Sequence, residues 1–115
     1  MEVFMNLIEE IKKNLKMEIR PGSKGNDYLE AVVGRKNIES LQSILIKYLG
    51  TAAKQAGKEA KFPEEIQRMV DALGGLRIEQ SFFYKKEGSK VAYAALWPWE
   101  SDPENITLKS GYAEL

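Results

Sequence analysis

The stretch LRIEQSFFYKKEGSKVAYAALW, residues 76–97, decides how this chain is read. Two runs rich in aromatic and apolar residues, Leu76 to Lys85 and Lys90 to Trp97, flank Lys86-Glu87-Gly88-Ser89. That segment carries the glycine a tight reversal needs, so the stretch predicts a β-hairpin. A turn centred on Glu87-Gly88 sets Ile78 opposite Trp97, Gln80 opposite Ala95, Phe82 opposite Tyr93 and Tyr84 opposite Val91. Directly opposed aromatic pairs stabilise a sheet by roughly 0.2–1 kcal/mol each, so this face is read as the core face. The reverse face sets Glu79 opposite Leu96, Ser81 opposite Ala94 and Phe83 opposite Ala92. A strand facing water usually carries Lys, Glu or Thr; Phe83, Ala92, Ala94 and Leu96 instead make a small apolar patch rimmed by Arg77, Glu79 and Ser81, the layout of an interface core with its border. The patch is a candidate self-association surface unless the chain's own first helix covers it.

Working outward, Pro98 to Asn105 leads into a third strand, Ile106 to Tyr112, completing an antiparallel meander. The matching alternation of these strands predicts a core of Ile78, Phe82, Tyr93, Trp97 and Leu108 packed on the second and third helices. Upstream, Phe4, Leu7, Ile8, Ile11 and Leu15 recur at three- and four-residue spacings, one stripe of a first helix over residues 3–15. Met17 and Ile19 alternate with charged neighbours in a short strand, the turn cluster Pro21 to Asp27 reverses the chain, and Tyr28 to Val33 forms the next strand. Ile38, Leu41, Ile44, Leu45, Tyr48 and Leu49 give a second helix, started at Asn37 and stopped near Gly50. Residues 51–61 lack periodicity and read as loop. Pro63 opens a third helix with Glu64 and Glu65 at its positive end, and Gly74-Gly75 stops it. The order α-β-β-α-α-β-β-β implies an α+β fold, an antiparallel sheet with helices packed on one face, in a single domain over residues 1–115.

Within the 115 residues there is no Cys and no His, which removes disulfide frameworks, thiol chemistry, imidazole metal sites and every histidine-based triad. The acid pairs Glu9/Glu10 and Glu64/Glu65 fall on solvated or N-terminal helical positions, and the acids at 100, 102 and 104 match no EF-hand spacing, so the reading leans away from an enzyme, a metal and a cofactor. Lys+Arg 17 balances Asp+Glu 17. Nucleic acid and anionic membranes usually call for a basic excess, so neither is expected as a partner. Up to Lys61 there are 11 basic and 8 acidic residues and beyond it 6 and 9, a weak dipole suited to head-to-tail matching between copies. Pro21-Gly22-Ser23-Lys24-Gly25-Asn26 has the composition of a phosphate loop but not its Gly-x-x-x-x-Gly-Lys-Ser/Thr pattern, and reads as a plain turn. With no secretory signal and no apolar run of the roughly 20 residues that span a bilayer, the cytoplasm is the expected location.

The most unusual local feature is Trp97-Pro98-Trp99, which holds both tryptophans of the chain and precedes Glu100, Asp102 and Glu104. Aromatic faces attract cations and carboxylates complete the pairing, so Trp97 and Trp99, with Tyr93 and Tyr112, are candidates for a ligand rim at the sheet end. The plainer alternative has Trp97 in the core and Trp99 plugging the sheet end where Pro98 stops the ladder. Two functions therefore stand: a small cytoplasmic protein-interaction or assembly module that forms a homodimer through Phe83, Ala92, Ala94 and Leu96, or a small-ligand-binding or enzymatic domain with its site near Tyr93, Trp97 and Trp99.

Overall fold

The computed structural model describes residues 2–23, 28–55, 57, 58, 61–72, 75–77, 80–99, 101, 102 and 104–114, with side chains from Leu7 onward. Helix α1 (Glu2–Asn14) leads into β1 (Met17–Ile19) and β2 (Tyr28–Gly34); a 3-10 turn, Arg35–Asn37, then opens α2 (Ile38–Leu49). Helix α3 (Glu64–Ala72) precedes β3 (Ser81–Glu87), β4 (Lys90–Pro98) and β5 (Asn105–Glu114). The element order and the all-antiparallel sheet are those the sequence predicts, an α+β fold.

Local chemistry sets the ends of these elements. Gly50 closes α2 at φ 86°, its N–H donating to the Ile46 carbonyl at 2.9 Å, a conformation that costs a glycine little. The Pro63 carbonyl accepts from the N–H groups of Ile66 and Gln67 to start α3, and the Gly75 N–H reaches back to the Val70 carbonyl at 2.9 Å to end it. The strand predicted from Leu76 begins only at Ser81, because Gln80 folds a turn onto Arg77: the Arg77 N–H donates to the Gln80 side-chain oxygen at 2.7 Å and the Gln80 N–H to the Arg77 carbonyl at 3.1 Å.

Strand order is β1-β2-β5-β4-β3, so β5, last in the chain, lies at the centre between β2 and β4. In the β3–β4 hairpin Glu87 pairs with Lys90, Tyr84 with Tyr93 and Phe82 with Ala95, two residues away from the expected register in which Phe82 met Tyr93. Only Gly88 and Ser89 form the loop, with Gly88 at φ 61°. Side chains alternate with period two, so an even shift changes the partners but leaves every residue on its predicted face.

The faces themselves are covered differently from the prediction. On the first face Leu29, Ala31, Val33, Phe83, Ala92, Ala94, Leu96, Ile106 and Leu108 are buried in one cluster with Leu7, Ile8 and Ile11 of α1 and Leu41, Leu45 and Leu49 of α2. On the second face Phe82, Val91, Tyr93 and Ala95 pack with Ile66, Met69 and Val70 of α3, and Phe62, Tyr84 and Trp97 lie at their border. Helices therefore cover both faces of the sheet, α1 and α2 on one and α3 on the other. The predicted single core divides accordingly: Phe82, Tyr93 and Trp97 belong with α3, Leu108 with α1 and α2, and Ile78 lies outside the described residues. The cause is the hairpin itself, which is apolar on both faces and so needs two covers.

One edge of the sheet is partly closed by the segment after α2. Lys54 bridges Phe82, the Phe82 N–H donating to the Lys54 carbonyl at 3.0 Å. The Lys54 side chain is itself buried, its ammonium donating to the Gln80 carbonyl at 2.6 Å. Residues 51–55 thus form a clasp against β3 where the sequence suggests plain loop.

Candidate functional site

The apolar patch Phe83, Ala92, Ala94 and Leu96 is no surface. Phe83 is 2% exposed and Leu96 3%, with both alanines fully buried, because α1 and α2 lie over them. The predicted interface at these four residues is corrected by this covering: the chain's own helices remove the patch from water.

What stays open is part of the second face. Helix α3 packs over the β3–β4 side, and Tyr28 and Glu30 of β2, Thr107 and Lys109 of β5, and Trp97 at the end of β4 remain half-exposed. The register arranges these residues in three rows across the strands. Tyr93, Gly111 and Tyr28 form the first, Ala95, Lys109 and Glu30 the second, and Trp97, Thr107, Val32 and Glu18 the third. Arg20, whose N–H donates to the Glu30 carbonyl at 2.8 Å, extends the middle row, and its guanidinium pairs with Glu18 at 3.3 Å. Glu30, Lys109 and Arg20 thus form a charged middle row, with Tyr28 on one side of it and Trp97 and Glu18 on the other.

Short contacts fix most of these groups. The Lys109 ammonium sits 4.5 Å from the centre of the Trp97 ring, a cation–π contact on the exposed side of the sheet. Trp99 turns back over β5, its indole N–H donating to the Thr107 hydroxyl at 2.8 Å and its backbone N–H to the Asn105 carbonyl at 2.9 Å. The connection is closed by Asp102, whose carboxylate accepts from the Asn105 amide at 2.8 Å and from the Glu104 N–H at 3.2 Å. Asp102 therefore shapes the turn that carries Trp99; Glu100 lies outside the described residues. At the other end the Tyr28 hydroxyl donates to the Glu30 carboxylate at 3.0 Å. Burial, and then that bond and the charge behind it, push the Tyr28 phenol well above the usual tyrosine range, and burial alone raises Tyr93. The Ser23 hydroxyl exchanges two 2.9 Å bonds with the Glu30 backbone and pins this corner.

Of the ligand-rim candidates, Trp97 and Trp99 come together, as their spacing suggests. Tyr93 is on the same face but only 6% exposed, within the cluster under α3. Tyr112 is separated from them: it pairs with Ala92 near the hairpin turn, whereas Trp97 pairs with Thr107. Five residues of strand are roughly 17 Å, and odd and even positions of β5 point to opposite faces, so Tyr112 is not part of the corner. Tyr28, Glu30 and Lys109 escape the sequence reading; their only signal is the alternation of polar and apolar residues along β2 and β5, which marks the outward face and says nothing of which strands adjoin.

Two clefts lie elsewhere among the described residues. One of about 400 Å³ lies between α3 and the end of β5, lined by Glu65, Arg68, Met69, Ala72, Ala113 and Glu114. The other, of about 270 Å³, lies at the α1–α2 junction beside Glu9, Glu10, Lys13, Asn14 and Tyr48. There the Glu10 carboxylate accepts from the Tyr48 hydroxyl at 2.8 Å and from the Lys47 ammonium at 3.2 Å, which hold it below the usual carboxylate range. Among the described residues no helix is long and apolar enough to cross a membrane. Comparison with protein-family models, with curated proteins and with solved structures returns no match for the chain.

Proposed function

We propose that this chain is a small cytoplasmic interaction module that forms a homodimer through the open half of its second sheet face. The observation that carries the proposal is an asymmetry of cover. Two helices cover the middle of one face of the sheet and leave Ile19 and Tyr112 exposed at its margins, whereas the other face keeps both tryptophans half-exposed beside its central strand. Tryptophan and tyrosine are enriched in the energetic centres of protein interfaces, where a large ring gains most from losing its water. Here Trp97 and Tyr28 stand on the sheet and Trp99 folds back over β5, with Glu18, Arg20, Glu30 and Lys109 among them. A net-neutral surface of both signs suits a partner that is likewise mixed, and a second copy satisfies that condition automatically.

Light scattering on a sizing column tests the proposal, with about 100 µM as the working concentration because micromolar dimers are populated there. The expected mass is twice 13.0 kDa. Trp97 and Trp99 are the only tryptophans, so dilution through the dissociation range should shift the emission to the red as both rings meet water. A monomer at 100 µM overturns self-association. A dimer whose emission does not respond to dilution overturns this location for it.

A further inference from the structure

Glu30 and Lys109 face each other directly across the β2–β5 ladder on the open side of the sheet, yet they form no ion pair. The Lys109 ammonium leans the other way, over Trp97, and the Glu30 carboxylate takes the Tyr28 hydroxyl. Two opposite charges thus stand side by side, at the middle of the surface, without neutralising one another. Resting on the homodimer reading above, we infer that these two residues set the pairing geometry: across a two-fold axis running along the strands between β2 and β5, Glu30 of each copy meets Lys109 of the other.

The register makes this placement self-consistent. A two-fold axis in the plane of contact, parallel to the strands and midway between β2 and β5, lays β2 of one copy over β5 of the other and β1 over β4. Because residues in one ladder row keep their position along the axis, Glu30 and Lys109, which share a row, exchange places exactly once on each side. The same operation brings Trp97 on β4 over the Glu18–Arg20 pair on β1, where a guanidinium can lie on the indole. Helix α3 buries Val91, Tyr93 and Ala95 of β4, so β1 of the second copy meets that strand at its Trp97 end. With strands about 4.8 Å apart and 3.4 Å per residue, the open area is roughly 15–20 Å on each side. This is small for a specific interface, so a micromolar dimer is expected in place of a nanomolar one.

Charge reversal tests the inference, because symmetry lets the contact be broken in each variant and rebuilt only between variants. Glu30→Lys alone places lysine against Lys109 of its mate, and Lys109→Glu alone places two glutamates together. Each should weaken self-association about tenfold or more, by like-charge opposition repeated on both sides of the axis. Mixed in equal amounts, the two variants should form a heterodimer within about threefold of the unmodified affinity, with both contacts again of opposite sign. Neither chain is changed by mixing, so recovery can come only from contact between copies. Circular dichroism shows whether each variant is folded; should either fail, Glu30→Gln and Lys109→Gln serve, each lowering affinity and flattening its dependence on salt. If the unmodified protein dimerises but the folded variants dimerise as well as it does, or show no preference for each other, the charge exchange is wrong while the homodimer stands. If the unmodified protein is monomeric, both fall.

Discussion

Phe82 and Phe83 are consecutive residues of one strand pointing to opposite faces, and both are sealed: Phe82 is 0% exposed and Phe83 2%. Phe83 lies in the cluster under α1 and α2, whereas Phe82 meets Phe62 edge-on at 5.7 Å and stacks on Tyr93 at 6.4 Å under α3. In a sheet covered on one side only, one of two adjacent phenylalanines would face water, and its removal would cost well under 1 kcal/mol. Here each truncation to Ala removes a fully buried ring, for which about 3–5 kcal/mol is the usual cost of lost transfer and residual cavity. A chain of this length has a total stability of roughly 6–17 kcal/mol, so either change consumes a large share. Phe83→Glu is more severe, because it adds an unpaired carboxylate under two helices, and it should leave an unfolded chain. Urea melts of Phe82→Ala and Phe83→Ala, with the transition slope fixed, give the two numbers directly. A loss below about 1 kcal/mol for either would mean that its face is open and the two-sided cover is wrong.

Three further expectations follow from particular contacts. The Glu10 carboxylate, held low by the Tyr48 hydroxyl and Lys47, contributes stability above its unfolded pKa that is lost as pH falls through the folded one. Between about pH 5 and 3 the urea midpoint should therefore drop more steeply for the unmodified protein than for Glu10→Gln, and parallel curves would dismiss the α1–α2 latch. Trp99→Phe removes the donor to Thr107 and should cost about 1 kcal/mol, with a smaller loss when Thr107 is already Val; additive losses in this double-mutant cycle would show that the bond carries no energy. Lys54→Met takes the ammonium from the Gln80 carbonyl and should destabilise by about 1–3 kcal/mol, with faster hydrogen exchange at the Phe82 amide, since the clasp supplies its acceptor; unchanged exchange would contradict that role.

The fold class was legible because its signals are local. Apolar stripes at helical spacing, glycine at Gly50 and Gly75, and alternation along the last three strands each act within a few residues. The two-sided cover had a signal as well: Val91-Ala92-Tyr93-Ala94-Ala95-Leu96 is an unbroken apolar run, the pattern of a strand buried on both faces. Pairing of the aromatics across the hairpin points to a single core face instead. The observed register differs by two from the expected one because turn composition does not separate a loop of Gly88-Ser89 from one centred on Glu87-Gly88. Trp97 and Trp99 announced themselves as neighbours in sequence. Glu30 and Lys109 could not, since their adjacency depends on β5 entering between β2 and β4, a pairing between distant parts of the chain that no local propensity dictates.

That central insertion has a kinetic meaning. During synthesis the hairpins β1–β2 and β3–β4 emerge with no edge in common, and only Asn105–Glu114 joins them, pairing Gly34 with Asn105 across roughly 70 residues of chain. The sheet therefore cannot grow strand by strand from the N-terminus. Without β5 the inner edges of β2 and β4 are unpaired, and a nascent chain stalled before Asn105 presents two such edges to any neighbour. Completion of this five-stranded sheet therefore depends on β5, whose pairing with β2 is the most distant in sequence.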